Sequence, residues 1–212
     1  MNIFESFGQE GGEITPETGL GSVELVNYTE IGNFEASGLL TNQEVGNYLR
    51  ETLLPSHLEN CPSIEYQSEC SQHYPEAVGT CSRLNNEICI WGPTERFSSP
   101  GEILEIVTHE VGHSVHNNIM AQKPEVAERW NQLHEQSWTK FSQDGTGFVS
   151  PYAQTNMRED FAETYMTYVR DPEKLLFFSP EKYEFMNKEV FCGTTYSSPL
   201  QFGYVDLSEI SN

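Results

Sequence analysis

No run of apolar residues in this 212-residue chain approaches the roughly 18 needed to cross a bilayer, so a membrane-spanning helix is not expected. Positive charge is scarce as well. Eleven Lys and Arg face 32 Asp and Glu for a net charge of −21, which argues against the basic surface that nucleic acid requires. The acidity favours solubility, saline surroundings or a basic substrate. There is no internal repeat and no long low-complexity linker, and the length suits one domain of ordinary size with a substantial core. None of the five cysteines stands in the CxxC spacing of a structural zinc cluster, and none carries a motif for nucleophilic chemistry. With Cys61, Cys70, Cys81 and Cys89 crowded into a loop-rich stretch, disulfides are expected, one cysteine being left unpaired and Cys192 the outlier. Such a chain would be exported and extracellular, reduced intracellular thiols being the alternative. The opening residues Met1 to Gly8 have neither the basic start nor the apolar core of a signal peptide. A leader already removed, or another route out of the cell, would reconcile the two.

What is present is concentrated in Thr108-His109-Glu110-Val111-Gly112-His113. On a helix, positions i and i+4 share a face, so His109 and His113 can reach one ion. Glu110 can address a water on the open side of that ion and act as general base. The surroundings agree with a helix. Ser99, Pro100 and Glu102 read as N-cap, first turn and capping-box partner, and Ile103, Leu104, Ile106, Val107, Val111, Val115 and Ile119 surround the motif with apolar contacts. That pattern belongs to a helix buried in the middle of a domain.

A hydrolytic zinc site takes three protein ligands and keeps a fourth position for water, so a third ligand must come from elsewhere. A second helix is predicted from Tyr152 through Val169, stopping near Asp171-Pro172, and it carries Glu159 and Glu163 on one face. His116 lies on the same face as the histidine pair. It could be a third ligand in a His-only site, but one turn further along it points past the ion, and bonding to a carboxylate or packing is the expected role. Glu163, in register with Glu159, would either be solvated or support a ligand from behind.

The His109 to His113 motif followed downstream by Glu159 in Asn156-Met157-Arg158-Glu159-Asp160-Phe161-Ala162-Glu163 resembles the catalytic domain of anthrax lethal factor and the secreted Pro-Pro endopeptidases, which are zinc metallopeptidases. The likeness covers roughly Ile88 to Phe191, with no match in the first 60 residues. It implies a zincin-like fold with His109, His113 and Glu159 as zinc ligands and Glu110 as general base. It further implies Tyr152, seven residues ahead of Glu159, near the oxyanion, and Glu163 behind the ligands. Two positions depart from the family: Asp160 stands where an aromatic or apolar residue is usual, and His116 where Asp is frequent.

Elsewhere, residues 1–21 read as an irregular arm and 22–212 as a single domain, strand-rich to about residue 97 and helical after it. Strands are predicted at Ser22–Tyr28, Ser63–Tyr66 and Glu87–Trp91, and helices at Asn42–Leu54 and Pro124–Phe141, the latter burying Val126, Trp130, Leu133 and Trp138. His134 on that last helix is expected at the surface or in packing. The order gives an α+β domain whose small mixed sheet lies over the His109–His113 helix and a second ligand-bearing helix. Glu87–Trp91 would then be an edge on which an extended peptide can add by backbone hydrogen bonds. The expectation is a monomeric, secreted zinc metalloendopeptidase holding one catalytic Zn2+ and acting on peptide or protein substrates. The alternative is a non-catalytic or toxin-component binding module that keeps the fold around a structural zinc.

Overall fold

The computed structural model describes residues 23–197, so the arm expected over residues 1–21 lies outside the described residues. The fold is α+β. Strand β1 (Glu24–Val26) turns through Asn27 and Tyr28 into β2 (Thr29–Gly32), which breaks the single strand expected up to Tyr28. Both turn residues have positive φ, 49° and 72°, as a two-residue hairpin turn with the right twist demands. With β3 (Ser63–Gln67), β4 (Gly79–Cys81) and β5 (Ile88–Trp91) they form one mixed sheet in the order β1-β2-β3-β5-β4. The three central strands run parallel, and each outer strand is antiparallel to its neighbour. Ile31, Ile64, Tyr66, Ile88 and Ile90 alternate into the core. Helix α1 (Asn42–Thr52) packs on β1 and β2, and α2 (Pro100–Gln122) on β4 and β5.

The strand order corrects one expectation. β5 is paired on both sides, and the edge beside α2 is the three-residue β4. A second correction concerns the cysteines, for all five are free thiols. On the closest strand pair, Cys81 faces Ile88 and Cys89 faces Thr80, so the pleat sends the two side chains to opposite faces of the sheet. Cys70 and Cys192 are exposed in separate loops, and Cys61 is buried. Without a disulfide framework, the inference to an exported protein loses its main support.

The helices follow their local signals. Ser99 caps α2 by accepting from Glu102 N–H, while the Glu102 carboxylate reaches past it to the backbone and hydroxyl of Ser98. After α3 (Pro124–Asp144) comes a short turn at Tyr152–Gln154, and only then α4 (Met157–Arg170), capped by Asn156 at the Arg158 and Glu159 amides. The helix expected to open at Tyr152 therefore begins five residues later. On α3, Val126 and Trp130 are buried as expected and Leu133 is half-buried, but Trp138 is 44% exposed and packs its ring on Phe148. Short helices α5 (Pro172–Phe178) and α6 (Pro180–Phe185) pack against α4, and a wide helical turn at Met186–Val190 follows them.

Candidate metallopeptidase active site

Helices α2 and α4 make the most extensive helix pair, and they approach closely at Gly112. A Cβ there would stand 3.1 Å from the Ala162 backbone and 3.1 Å from Tyr165 Cβ. Close approach brings Glu159 over the α2 face that carries His109 and His113. The His109 and His113 Nε2 atoms are 3.1 Å apart, and Glu159 Oε2 lies 3.2 Å from the first and 3.0 Å from the second. Donors held 2.0–2.1 Å from a tetrahedral zinc ion stand about 3.3–3.4 Å apart, so this triangle needs to open by only about 0.3 Å to fit one. The set also has the right chemistry: two imidazoles and a carboxylate. Behind it, His109 Nδ1 meets Glu163 Oε1 at 2.9 Å, the carboxylate bond that fixes tautomer and ring orientation in zinc sites. Ser150 donates to Glu163 Oε2 at 2.5 Å and accepts from Ala153 N–H, tying the Tyr152 turn to the same carboxylate.

Glu110 belongs to the cluster without joining the triangle. One carboxylate or ring atom from each of His109, Glu110 and His113 fits within 4.8 Å, yet Glu159 comes closer to both histidines and completes the tighter group. Glu110 lines the cleft, and its Oε2 is buried with no hydrogen-bond partner, an acceptor left free. Burial pushes its pKa up to about 7, partly countered by the His109 charge. Burial also opposes charge on His109, but hydrogen bonds to Glu159 and Glu163 hold its pKa at about 9. Burial takes His113 down to about 4 despite Glu159. Glu159 resists burial through both histidines and stays well below the usual carboxylate range. The charge on His109 thus offsets one carboxylate of the cluster, in the place a cation would take.

The cleft has a volume of about 1050 Å³ and runs from this cluster around the β4 edge. Tyr152 and Arg158 line it on the helical side. The Tyr152 ring lies 5.9 Å from that of His109, and burial together with the Glu159, Glu110 and Glu163 carboxylates raises its pKa to about 12, so its phenol keeps a proton to donate. At Gly79 on β4 a Cβ would come within 2.5 Å of Glu110 Oε1, so the strand lies directly on the general-base candidate.

Residues 83–187 match the family described as "Putative zinc-binding metallo-peptidase". The metallo-peptidase match covers just under half of the chain and takes in β5 and α2 to α4, with every donor of the triangle, Glu110, Tyr152 and Glu163. No curated protein and no solved structure matches the chain.

His116 does not join the donors. It is buried, sets its ring 4.8 Å from that of Phe161 at a tilt of 33° and has no partner at Nε2, so it packs. Asp160 turns inward, about 100° around the helix from Glu159. There it takes Lys182 Nζ at 2.7 Å on both oxygens and His134 Nδ1 at 2.8 Å, under the rings of Trp130 and Phe148. The reading from sequence missed Lys182 and left His134 as surface or packing. Ser150 and Gly79 were missed too, having no motif to mark them.

Proposed function

We propose that this chain is a zinc-dependent endopeptidase in which His109, His113 and Glu159 hold the metal. The observation that carries the reading is the triangle of donors with the buried, unpartnered Glu110 oxygen beside it, in the wall of a cleft that Glu110, His113 and Glu159 line. Bound there, zinc would polarise the scissile carbonyl and acidify a water. Glu110, with a pKa near neutrality, takes the proton of the attacking water and returns it to the leaving amine. Tyr152 donates its phenol proton in a hydrogen bond to the developing oxyanion, the role its position implies in the lethal-factor and Pro-Pro endopeptidase resemblance. Glu163, held by Ser150, keeps the His109 ring in place. An extended peptide adds to the β4 edge, with its backbone across Gly79 and above Glu110.

A structural zinc in a non-catalytic module would take four protein ligands. Among the described residues the triangle supplies three donors, Glu110 stands outside it with one oxygen unpartnered, and His116 is turned to Phe161, which favours an open fourth position. Replacing Glu110 with Gln preserves shape but removes the proton acceptor. With equal zinc content, cleavage of a mixed peptide library is expected to fall by about three orders of magnitude or more. Turnover within tenfold of the parent would remove Glu110 from the mechanism.

A further inference from the structure

The backbone of β4 is oriented by its pairing with β5. Trp91 N–H donates to Val78 O and Ser82 N–H donates to Glu87 O. In an antiparallel ladder these bonded pairs alternate with unbonded ones, so Gly79 and Cys81 turn their N–H and C=O groups away from β5, toward the free edge. An added peptide strand can exchange both bonds with Gly79. At Cys81 the situation changes, because Arg158 Nη2 already donates to the Cys81 carbonyl at 3.1 Å. The guanidinium therefore caps the edge, and a peptide paired with Gly79 runs into it after about two residues.

Acidic residues outnumber basic ones by 32 to 11, and of the six arginines Arg50, Arg129 and Arg170 each pair with a carboxylate, while Arg83, Arg96 and Arg158 do not among the described residues. Among the described residues Arg158 forms no ion pair, its Nε is buried without a partner, and its side chain lines the cleft. A planar guanidinium that spends a donor on a carbonyl at the wall of a substrate channel, with no carboxylate of its own, suits a substrate carboxylate.

We infer that Arg158 reads a substrate carboxylate, either an Asp or Glu side chain or the C-terminal carboxylate, held just beyond the residue that pairs with Gly79. The inference rests on the peptidase reading and deepens it by naming the substrate class. A guanidinium that merely pinned β4 to α4 would show no such preference.

The test uses the zinc-loaded protein and blocked octapeptides carrying Glu or Gln at each position in turn, with free or amidated C-termini. At one position Glu over Gln, or the free over the amidated end, should raise kcat/KM about tenfold to a hundredfold, and the two arms tell side chain from terminus. The advantage should shrink with added salt. Arg158→Glu should reverse it toward Lys-bearing peptides, whereas Arg158→Lys should retain part of it. Equal kcat/KM across the series in the parent protein, which needs no variant to fold, would overturn the assignment. Should no peptide be cleaved at all, the peptidase reading fails by itself. Affinity of the same peptides for zinc-loaded Glu110→Gln then decides the Arg158 inference, equal Kd for Glu and Gln peptides sinking it.

Discussion

Two side chains compete in the sequence for the place beside His109 and His113, and their geometry separates them. Glu159 Oε2 is within 3.2 Å of both ring nitrogens, while His116 sits one turn on, against Phe161. Glu159→Ala should therefore lose zinc on dialysis, and His116→Ala should keep it, because three ligands and a water complete a tetrahedron. Metal analysis reads the result directly, and retention by Glu159→Ala with loss by His116→Ala would overturn the ligand set. Tyr152 is separable from both. The residue is 54% exposed, so Tyr152→Phe should leave melting temperature and zinc content near the parent. If the phenol stabilises the oxyanion, kcat should drop about a hundredfold with little change in KM. An unchanged kcat would make Tyr152 a wall of the cleft.

Two glycines set how the elements meet at the site, and they should fail differently. Gly112→Ala places a methyl group 3.1 Å from the Ala162 backbone and beside the buried Tyr165 ring, neither of which can move alone. The helices must part, so stability should fall by about 1–3 kcal/mol and zinc affinity with it, as Glu159 draws back from the histidines. Gly79→Ala presses instead on Ile106 and on the Glu110 carboxylate from the sheet side. It should keep zinc and lose turnover. Zinc titration and peptide cleavage on the two proteins distinguish the patterns, and identical losses in both would contradict this account. The histidine helix was legible because capping, periodicity and motif coincide within residues 99–119, and the ligand-bearing helix because Glu159 and Glu163 share its face. The edge strand was not. Gly79-Thr80-Cys81 is too short to alternate visibly, and its place is decided by pairing with β5. The start of α4 was misplaced although Asn156 ahead of an acidic first turn is a capping signal. Lys182 was illegible altogether, since only the tertiary fold brings it 2.7 Å from Asp160.

At the scale of the molecule, burial of histidine in so acidic a chain links folding to pH. His57, held between the Tyr165 hydroxyl and the Val190 carbonyl, is lowered by burial to about 4, as are His113 and His116. Between about pH 4 and 6.5 the unfolded chain binds protons that these three native side chains refuse, so unfolding is favoured by acid. Their contribution is complete above the unfolded value of about 6.5 and is lost as pH falls through about 4, at up to about 1.4 kcal/mol per pH unit for each. His109 runs the other way. Raised to about 9, it adds stability below about pH 6.5 that drains away as pH rises through 9. Glu110, raised to about 7, likewise gives up stability as pH rises between about 4.5 and 7, offsetting roughly one of the three histidines there. The zinc-free protein should therefore be most stable near pH 6.5–7. Zinc replaces the His109 proton, so the alkaline decline should vanish with the metal bound, and zinc affinity should climb toward pH 9. Repulsion within a net charge of −21 also changes with pH, and about 1 M salt screens it to a Debye length of about 3 Å. Urea unfolding at that salt, at about pH 5, 7 and 9 with and without zinc, makes the comparison. A flat profile between pH 7 and 5, or an alkaline decline that persists with zinc, would show that the buried histidines do not control the stability of this fold.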